Sequence, residues 1–405
     1  MSRSILKNRN FVFLWIGHLI SHAGDAVYAI ALPWLMLEMT GSKSLTALVS
    51  MSAFLPALIF GFFAGVIVDQ YNRKNIMIVS DIMRSLLVSI VPIMLIFGFA
   101  SPLYIGIITF FLSAFSALFY PARDCLIPHI TQPEELPTAN SAIVISGQMS
   151  HLIGPLFAGI GISIFGLTHL FTADAISFLF SILMISLIVI PANQKPDQES
   201  ASQIDSIKEG IHYALTEKGV GALLSLTFIN NIFIMGPAII GLPVFVKEIL
   251  KEEFIVFAHL ETSMASGMII GSVIFWKAIK RFNPVYILLF GVVIDGLTFC
   301  LLFFVQSNYV AILVLLIHGI GIPLITVSRT TLIQTTVPDK LQGRLFSMLY
   351  MAVMGTTAIS IGLTGLILEY FGIDILFLII GICAASCSLI GLISENFRCL
   401  GQKVN

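Results

Sequence analysis

Gly65-Val66-Ile67-Val68-Asp69-Gln70-Tyr71-Asn72-Arg73-Lys74 is the stretch on which the reading of this chain turns. One apolar run, 45–68, ends in it, and a second, 76–99, begins just beyond it. Each run holds the roughly 20 mainly apolar residues needed to cross a bilayer. An acid, an arginine and a lysine are thus gathered between two candidate membrane helices. Gly65 permits close approach of a neighbouring helix. Arg73 and Lys74 are the kind of basic pair that holds a connection on the cytoplasmic side. Asp69, at the membrane surface, is placed to meet a helix N-terminus or an arginine.

The rest of the chain repeats the alternation. Its 405 residues are 57% hydrophobic and only 11% charged, against about 25% charged in soluble domains. With a mean hydropathy of +0.99, the bilayer must be the solvent. Twelve spans are predicted: 11–37, 45–68, 76–99, 102–121, 139–165 and 170–191, then 220–246, 254–276, 284–305, 309–328, 346–368 and 375–394. The first run is too long for a signal-peptide core and lacks a small-residue cleavage site, so it reads as a membrane helix. The domains expected are a six-helix lobe at 1–191, a polar linker at 192–218 and a second six-helix lobe at 219–405. In the linker, Ile204, Ile207, Ile211 and Leu215 would share one face of a short surface helix.

Basic residues set the orientation. With twelve spans, 17 Lys and Arg fall on the side of both termini and the linker, 3 fall opposite, and Arg84 is left inside the third span. Both termini and the linker are therefore expected in the cytoplasm. An odd number of spans would destroy this asymmetry.

The halves echo each other at a spacing near 206 residues. Phe165-Gly166-Leu167 with Leu170-Phe171 matches Phe371-Gly372-Ile373 with Leu376-Phe377. Arg123, Leu126 and Ile127 match Arg329, Leu332 and Ile333. Pro133-Glu134-Glu135-Leu136 matches Pro338-Asp339-Lys340-Leu341, one residue out of step. Gly65 matches Gly271 and Gly159 matches Gly365, but Phe275 stands where a second acid would be. Parallel six-helix repeats are the expectation for a two-lobed transporter.

Ionisable side chains within spans mark functional sites by default. Gly24-Asp25 lies deep in the first span, with Asp25 about 21 Å along the helix from Phe11. An acid there must pair, face water or take a proton. His18 and His22 share its face, and His22 can relay a proton or simply hydrogen-bond a neighbouring helix. Asp81, three residues before Arg84, reads as a local ion pair near the cytoplasmic surface. Asp174, a few residues after an outer loop, is expected to reach water. Glu261, near His259, and Asn231, beside Asn230 in the seventh span, are candidates for a substrate cavity. Asp295 lies mid-span without an evident role. Cys383 and Cys387 share a helix face but have no second ligand pair, so neither a metal nor any other cofactor is expected.

The opening stretch resembles the G-x-x-x-D-x-x-x-R-K signature between helices 2 and 3 of the major facilitator superfamily. Ala31-Leu32-Pro33-Trp34, Thr40-Gly41-Ser42, Phe119-Tyr120-Pro121-Ala122-Arg123 and Leu126-Ile127-Pro128 carry the resemblance along the chain. They look like the bacterial exporter branch that includes macrolide efflux pumps and the enterobactin exporter. Gly154-Pro155-Leu156-Phe157-Ala158-Gly159 resembles the G-P-x-x-G-G core of the motif found in antiporters of the superfamily, with Ala158 in place of one glycine and Ser141 in place of an upstream one. The resemblance implies an all-α fold of two pseudo-symmetric six-helix lobes, a central cavity and proton-coupled export from the bacterial inner membrane. Gly65, Asp69, Arg73, Lys74 and Arg123 would form a cytoplasmic latch, and Asp25, His22, Asn231 and Glu261 the coupling and substrate cavity.

The partners implied are a small-molecule substrate, protons and the lipid bilayer, with no nucleic acid, and the chain is expected to be monomeric. No GxxxxGK[ST] loop, HExxH pair or nucleophile constellation occurs, so neither ATP-driven transport nor an enzyme is expected. A lysophospholipid transporter, sharing Gly-Asp in helix 1 and Pro-Ala after helix 4, stays open, as does ferroportin-like metal export using Asp25 and Asn231. A membrane sensor or transport-inactive relative is the alternative of another class.

Overall fold

The structure, a computed structural model, describes residues 5–132, 135–189, 212–213, 215–393 and 395–400. Among them are 12 helices long and apolar enough to cross a membrane, and no strand. Most of the linker, with Ile204, Ile207 and Ile211, lies outside the described residues, as do Pro133 and Glu134.

The first half comprises α1 (Arg9–Thr40), α2 (Lys43–Met51), α3 (Leu55–Gln70), α4 (Arg73–Ile96), α5 (Pro102–Ile130), α6 (Leu136–Phe165) and α7 (Leu167–Ser186). Asn8 caps α1 by accepting the Phe11 N–H at 3.2 Å, and Asn72 caps α4 by accepting that of Asn75 at 3.2 Å. Each supplies an acceptor to an N–H that has no partner within its helix. The second predicted span is broken, because a turn at 52–54 separates α2 from α3. Pro56 sits in the first turn of α3, where a missing N–H costs nothing.

The second half comprises α8 (Lys218–Gly236), α9 (Phe254–Ala278), α10 (Pro284–Leu302), α11 (Asn308–Thr336), α12 (Asp339–Phe371), α13 (Ile373–Ile393) and the short α14 (Glu395–Leu400). After α8 the same span continues to Leu250 through wider π turns at Pro237–Gly241 and Val246–Leu250. Two prolines there, Pro237 and Pro243, remove backbone donors and loosen the regular ladder.

Several helices outrun their predicted ends. The fourth span was expected to stop at 121, but α5 continues through Pro121 and Pro128 to Ile130. Arg123 therefore lies in a helix rather than a loop. In the same way α11 includes Arg329 and α12 begins at Asp339 rather than 346. Hydropathy detects only the length in contact with hydrocarbon. Prolines are tolerated within membrane helices because neighbouring groups satisfy the freed carbonyls.

The repeat has a conformational counterpart. Gly166, between α6 and α7, has φ 82° and ψ 165°, and Gly372, between α12 and α13, has φ 79° and ψ 170°. Only glycine adopts this region readily, so the same turn joins the last two helices of each half.

Helix α4 shows how the bilayer inverts the usual pattern. Val79, Ile82, Leu86, Ile90 and Ile93 form an exposed apolar stripe at helical spacing. Ser80, Asp81, Arg84 and Ser85 lie buried on the opposite face. In water this helix would be inside out, whereas in lipid the apolar stripe is solvated and the charges face protein.

The chain divides into two compact units, Met1–Gly41 with Leu48–Gln198, and Ser42–Ala47 with Glu199–Asn405. The first has a core that includes Phe11, Leu14, Met77, Phe119, Leu126 and Ile130. The second has one that includes Leu223, Val285, Leu288, Leu332, Ile333 and Leu345.

Candidate functional site

Asp25 sits near the middle of the 32-residue α1, and its side chain is 22% exposed. Two neighbours from other helices hold it. Tyr120 Oη on α5 donates to Asp25 Oδ2 at 3.2 Å, and Arg84 Nη1 on α4 lies 3.5 Å from the same oxygen. Arg84 is wholly buried. Its guanidinium also contacts Asp81 Oδ1 and donates to Ser116 Oγ at 3.4 Å. It lies over the rings of Phe119 and Phe178, 4.4 Å from each centroid. Stacking on aromatic faces replaces part of the hydration that a buried guanidinium loses.

The local Asp81–Arg84 pair is present as predicted. Both side chains are completely buried within the protein, and Arg84 is also shared with Asp25. A helical i, i+3 spacing brings the two together on one face of α4, and that face is turned towards α1.

The predicted grouping on α1 also forms. The rings of His18 and His22 are edge-to-face at 5.3 Å, and each lies near Tyr120, with centroids at 6.4 and 6.2 Å. His18 accepts a hydrogen bond at Nε2 from Arg123 Nη1 at 3.0 Å. Arg123 is further engaged by Asp124 Oδ1 at 2.6 and 2.8 Å.

Gly24 brings α7 against this site. A Cβ there would collide with Ser177 Oγ and stand 2.5 Å from Asp174 Oδ1. Asp174 was expected to reach water but is fully buried. Distance from a loop along the sequence misleads here, because the face of α7 that carries Asp174 packs on the glycine step of α1. The antiporter-like motif meets the same segment from α6. A Cβ on Gly154 would lie 2.6 Å from that of Ala26. Pro155, Ala158 and Gly159 are buried beside it.

Of the residues expected to form a latch, Gly65 and Asp69 lie in α3, with their side chains outside the described residues. Arg73 opens α4 and its Nη1 donates to the ring of His129 on α5. Lys74 Nζ donates to the backbone oxygens of Ser186 at 2.8 Å and Ile188 at 2.7 Å. Those two carbonyls lie at and just beyond the end of α7, where a cation is favoured.

In the second unit, Asn231 Nδ2 donates to Thr356 Oγ1 at 2.7 Å, Thr357 Oγ1 at 3.0 Å and the Val353 carbonyl at 3.2 Å. It ties α8 to α12. Asn230 turns to α10 instead, donating to Asp295 Oδ2 at 3.2 Å. The other oxygen of Asp295 is 3.2 Å from His318 Nδ1, which also meets Thr298 Oγ1 at 2.8 Å. Asp295 thus belongs to a buried polar cluster of α8, α10 and α11. Glu261 is half-buried on α9, whereas His259, two residues earlier, is exposed. The two point to different sides of the helix.

Cys387 Sγ donates to the Cys383 carbonyl at 3.2 Å, one turn earlier. Among the described residues, no group of three His, Cys, Asp or Glu side chains is placed to hold a metal ion. The sequence reading missed Arg84, Tyr120 and Asp174 as site residues. The available signal was the Asp81-x-x-Arg84 pair in an apolar helix, since ionisable residues within a span mark functional sites by default.

The model of a family described as transmembrane secretion effectors, within the major facilitator superfamily, matches residues 2–400. Macrolide efflux protein A of Streptococcus pyogenes is 24% identical over 383 residues, covering 93% of this chain and 94% of that protein. Multidrug efflux pump Tap of Mycolicibacterium fortuitum is 24% identical over 371 residues, covering 89% and 88%. A crystal structure of the nucleoside transporter NupG superposes with a TM-score of 0.77 at 13% identity, over 96% of this chain and 99% of that one.

Proposed function

We propose proton-coupled export of an amphipathic small molecule as the function of this chain, which belongs to the transmembrane secretion effector family of the major facilitator superfamily. It is a multi-pass membrane transporter with 12 spans. Macrolides and other drugs are the substrates suggested by the names of its relatives. We place the protein in the bacterial inner membrane as a monomer, with both termini and the 192–218 linker in the cytoplasm. The 17 to 3 division of basic residues supports this orientation.

The observation that carries the proposal is Asp25, an accessible carboxyl in mid-helix held by Arg84 and Tyr120. When Asp25 is ionised it shares Arg84 with Asp81. When it takes a proton the ionic contact to Arg84 weakens, and the packing of α1 against α4 and α5 loses one tie. Protonation thereby biases an arrangement of helices. Coupling requires that the inward-open and outward-open states hold the proton with different affinity, since equal affinity shifts nothing. In the outward-open state Asp25 takes up a proton, and in the inward-open state it gives it up as substrate binds. His22 stands close enough to Tyr120 to orient this site.

The test is transport in everted vesicles under an imposed pH gradient, using radiolabelled erythromycin and ethidium as probes. Asp25→Asn mimics the protonated acid. It is expected to abolish uphill accumulation and to spare downhill exchange. Accumulation at the wild-type level in that variant would remove Asp25 from the coupling mechanism and leave Glu261 and Asp295 as the acids to test.

A further inference from the structure

Asp174 has no place in the mechanism above, although it is buried against the glycine that precedes Asp25. Its Oδ1 lies 2.5 Å from where a Gly24 Cβ would be. Its Oδ2 has no hydrogen-bond partner. The Ser177 hydroxyl donates to the backbone carbonyl of Asp174 at 2.7 Å and stands 3.5 Å from Oδ1, too far for a firm second bond. Among the described residues, no ion pair reaches Asp174. The neighbouring cation, Arg84, is in contact with Asp25 and Asp81.

The charge balance around that arginine is unequal. Asp25 from α1 and Asp81 from α4 both contact this one buried guanidinium, and Asp174 from α7, close enough to feel its charge, makes a third carboxyl group. Arg123, the next cation, is taken up by His18 and Asp124. Helix α6, also packed on α7, carries no titratable group among its described side chains. An ionised carboxylate without donors or a counter-ion is not tolerated in a dry interior, and such a group neutralises instead.

We infer that Asp174 is a second proton-holding carboxyl, which stores a proton beside Gly24 and exchanges it with Asp25. This rests on the reading of the chain as a proton-coupled exporter. In the exchange, the O–H bond at Asp174 breaks as one forms at Asp25, and the negative charge moves the other way. The proton moves between two acids of one cluster, so the net charge of the cluster does not change. The step allows Asp25 to be ionised for substrate binding while the coupled proton stays within the first unit. Gly24 is what makes it feasible, because any side chain there would push α7 and its acid away.

Two measurements test the inference on the full-length protein. Infrared spectra of purified protein in lipid at neutral pH should contain the carbonyl stretch of a protonated carboxyl group. That band should vanish in Asp174→Asn and persist in Asp25→Asn. In everted vesicles with erythromycin and ethidium, Asp174→Asn should lose pH-driven accumulation and keep downhill exchange, and Asp174→Glu should restore part of the accumulation. A spectrum with no such band, or one unchanged in Asp174→Asn, overturns the inference. So does full pH-driven accumulation in Asp174→Asn, which would make its proton a fixed structural feature. If Asp25→Asn is inactive while Asp174→Asn is not, only this inference fails. Wild-type vesicles that accumulate neither probe under a pH gradient overturn it together with the exporter reading.

Discussion

Arg84 on α4 and Asp25 on α1 approach to 3.5 Å, with the arginine fully buried and also in contact with Asp81. One guanidinium therefore ties an acid of its own helix to an acid of the helix opposite. Removing a partner from a buried pair costs about 3–5 kcal/mol, because the remaining charge is stranded. Arg84→Met should accordingly lower the thermal stability of the detergent-solubilised protein sharply. Adding Asp81→Asn to that variant should recover much of the loss, since it removes one of the two stranded acids. Thermal unfolding of the single and double variants makes the comparison. Equal stability of Arg84→Met and the wild type would mean that the cluster does not hold α1 to α4.

The orientation can be tested independently of transport. In a variant lacking the native cysteines, a single cysteine at Ser200 should resist a membrane-impermeant maleimide applied to intact cells. A single cysteine at Lys251 should react. The expectation rests on the 17 to 3 distribution of Lys and Arg, because basic loops are retained in the cytoplasm. Labelling of Ser200→Cys from outside would reverse the topology.

How far the sequence announced this arrangement depended on whether a feature was local. The spans, the Asp81–Arg84 spacing and the Phe-Gly turns of the repeat are local, and the helices, the ion pair and the matching glycine conformations follow from them. The tie from Arg84 to Asp25 went unread and Asp174 was assigned to water because both depend on which faces of separate helices meet. That is set by close contacts such as Gly24 against Ser177, and periodicity within one helix carries no record of them. Pro121 misled for a different reason, since it reads as a helix end in water but sits within α5. Asn231 was read as a candidate cavity residue, whereas its partners Thr356 and Thr357 lie on a helix far along the chain.

The signature residue Arg73 donates to His129, and Lys74 binds the carbonyls of Ser186 and Ile188. These contacts brace α4 against α5 and the end of α7. Arg73→Ala and Asp69→Asn are both expected to reduce transport rate at matched expression, with membrane insertion preserved. His129→Ala should reproduce part of the Arg73→Ala defect if the contact to the histidine matters. Unchanged rates in Arg73→Ala and Asp69→Asn would reduce the motif to an orientation signal. Protein abundance in membranes and initial efflux rates distinguish the outcomes.

Gly154 on α6 leaves only 2.6 Å between its missing Cβ and that of Ala26, a separation that non-bonded carbon atoms do not tolerate. Ala26, the residue after Asp25, is therefore packed directly on the Gly-Pro motif. Gly154→Ala should force α6 and α1 apart, and overpacking of this kind costs about 1–3 kcal/mol. It should also move Asp25 relative to Tyr120 and Arg84, so uphill transport ought to fall further than stability does. The compensating change is Ala26→Gly, which removes the opposing methyl group. If close packing is what the motif supplies, Gly154→Ala with Ala26→Gly should regain both stability and pH-driven accumulation. Failure of Ala26→Gly to rescue would point instead to backbone freedom at Gly154, and a wild-type Gly154→Ala would show that the approach of the two helices has no bearing on coupling.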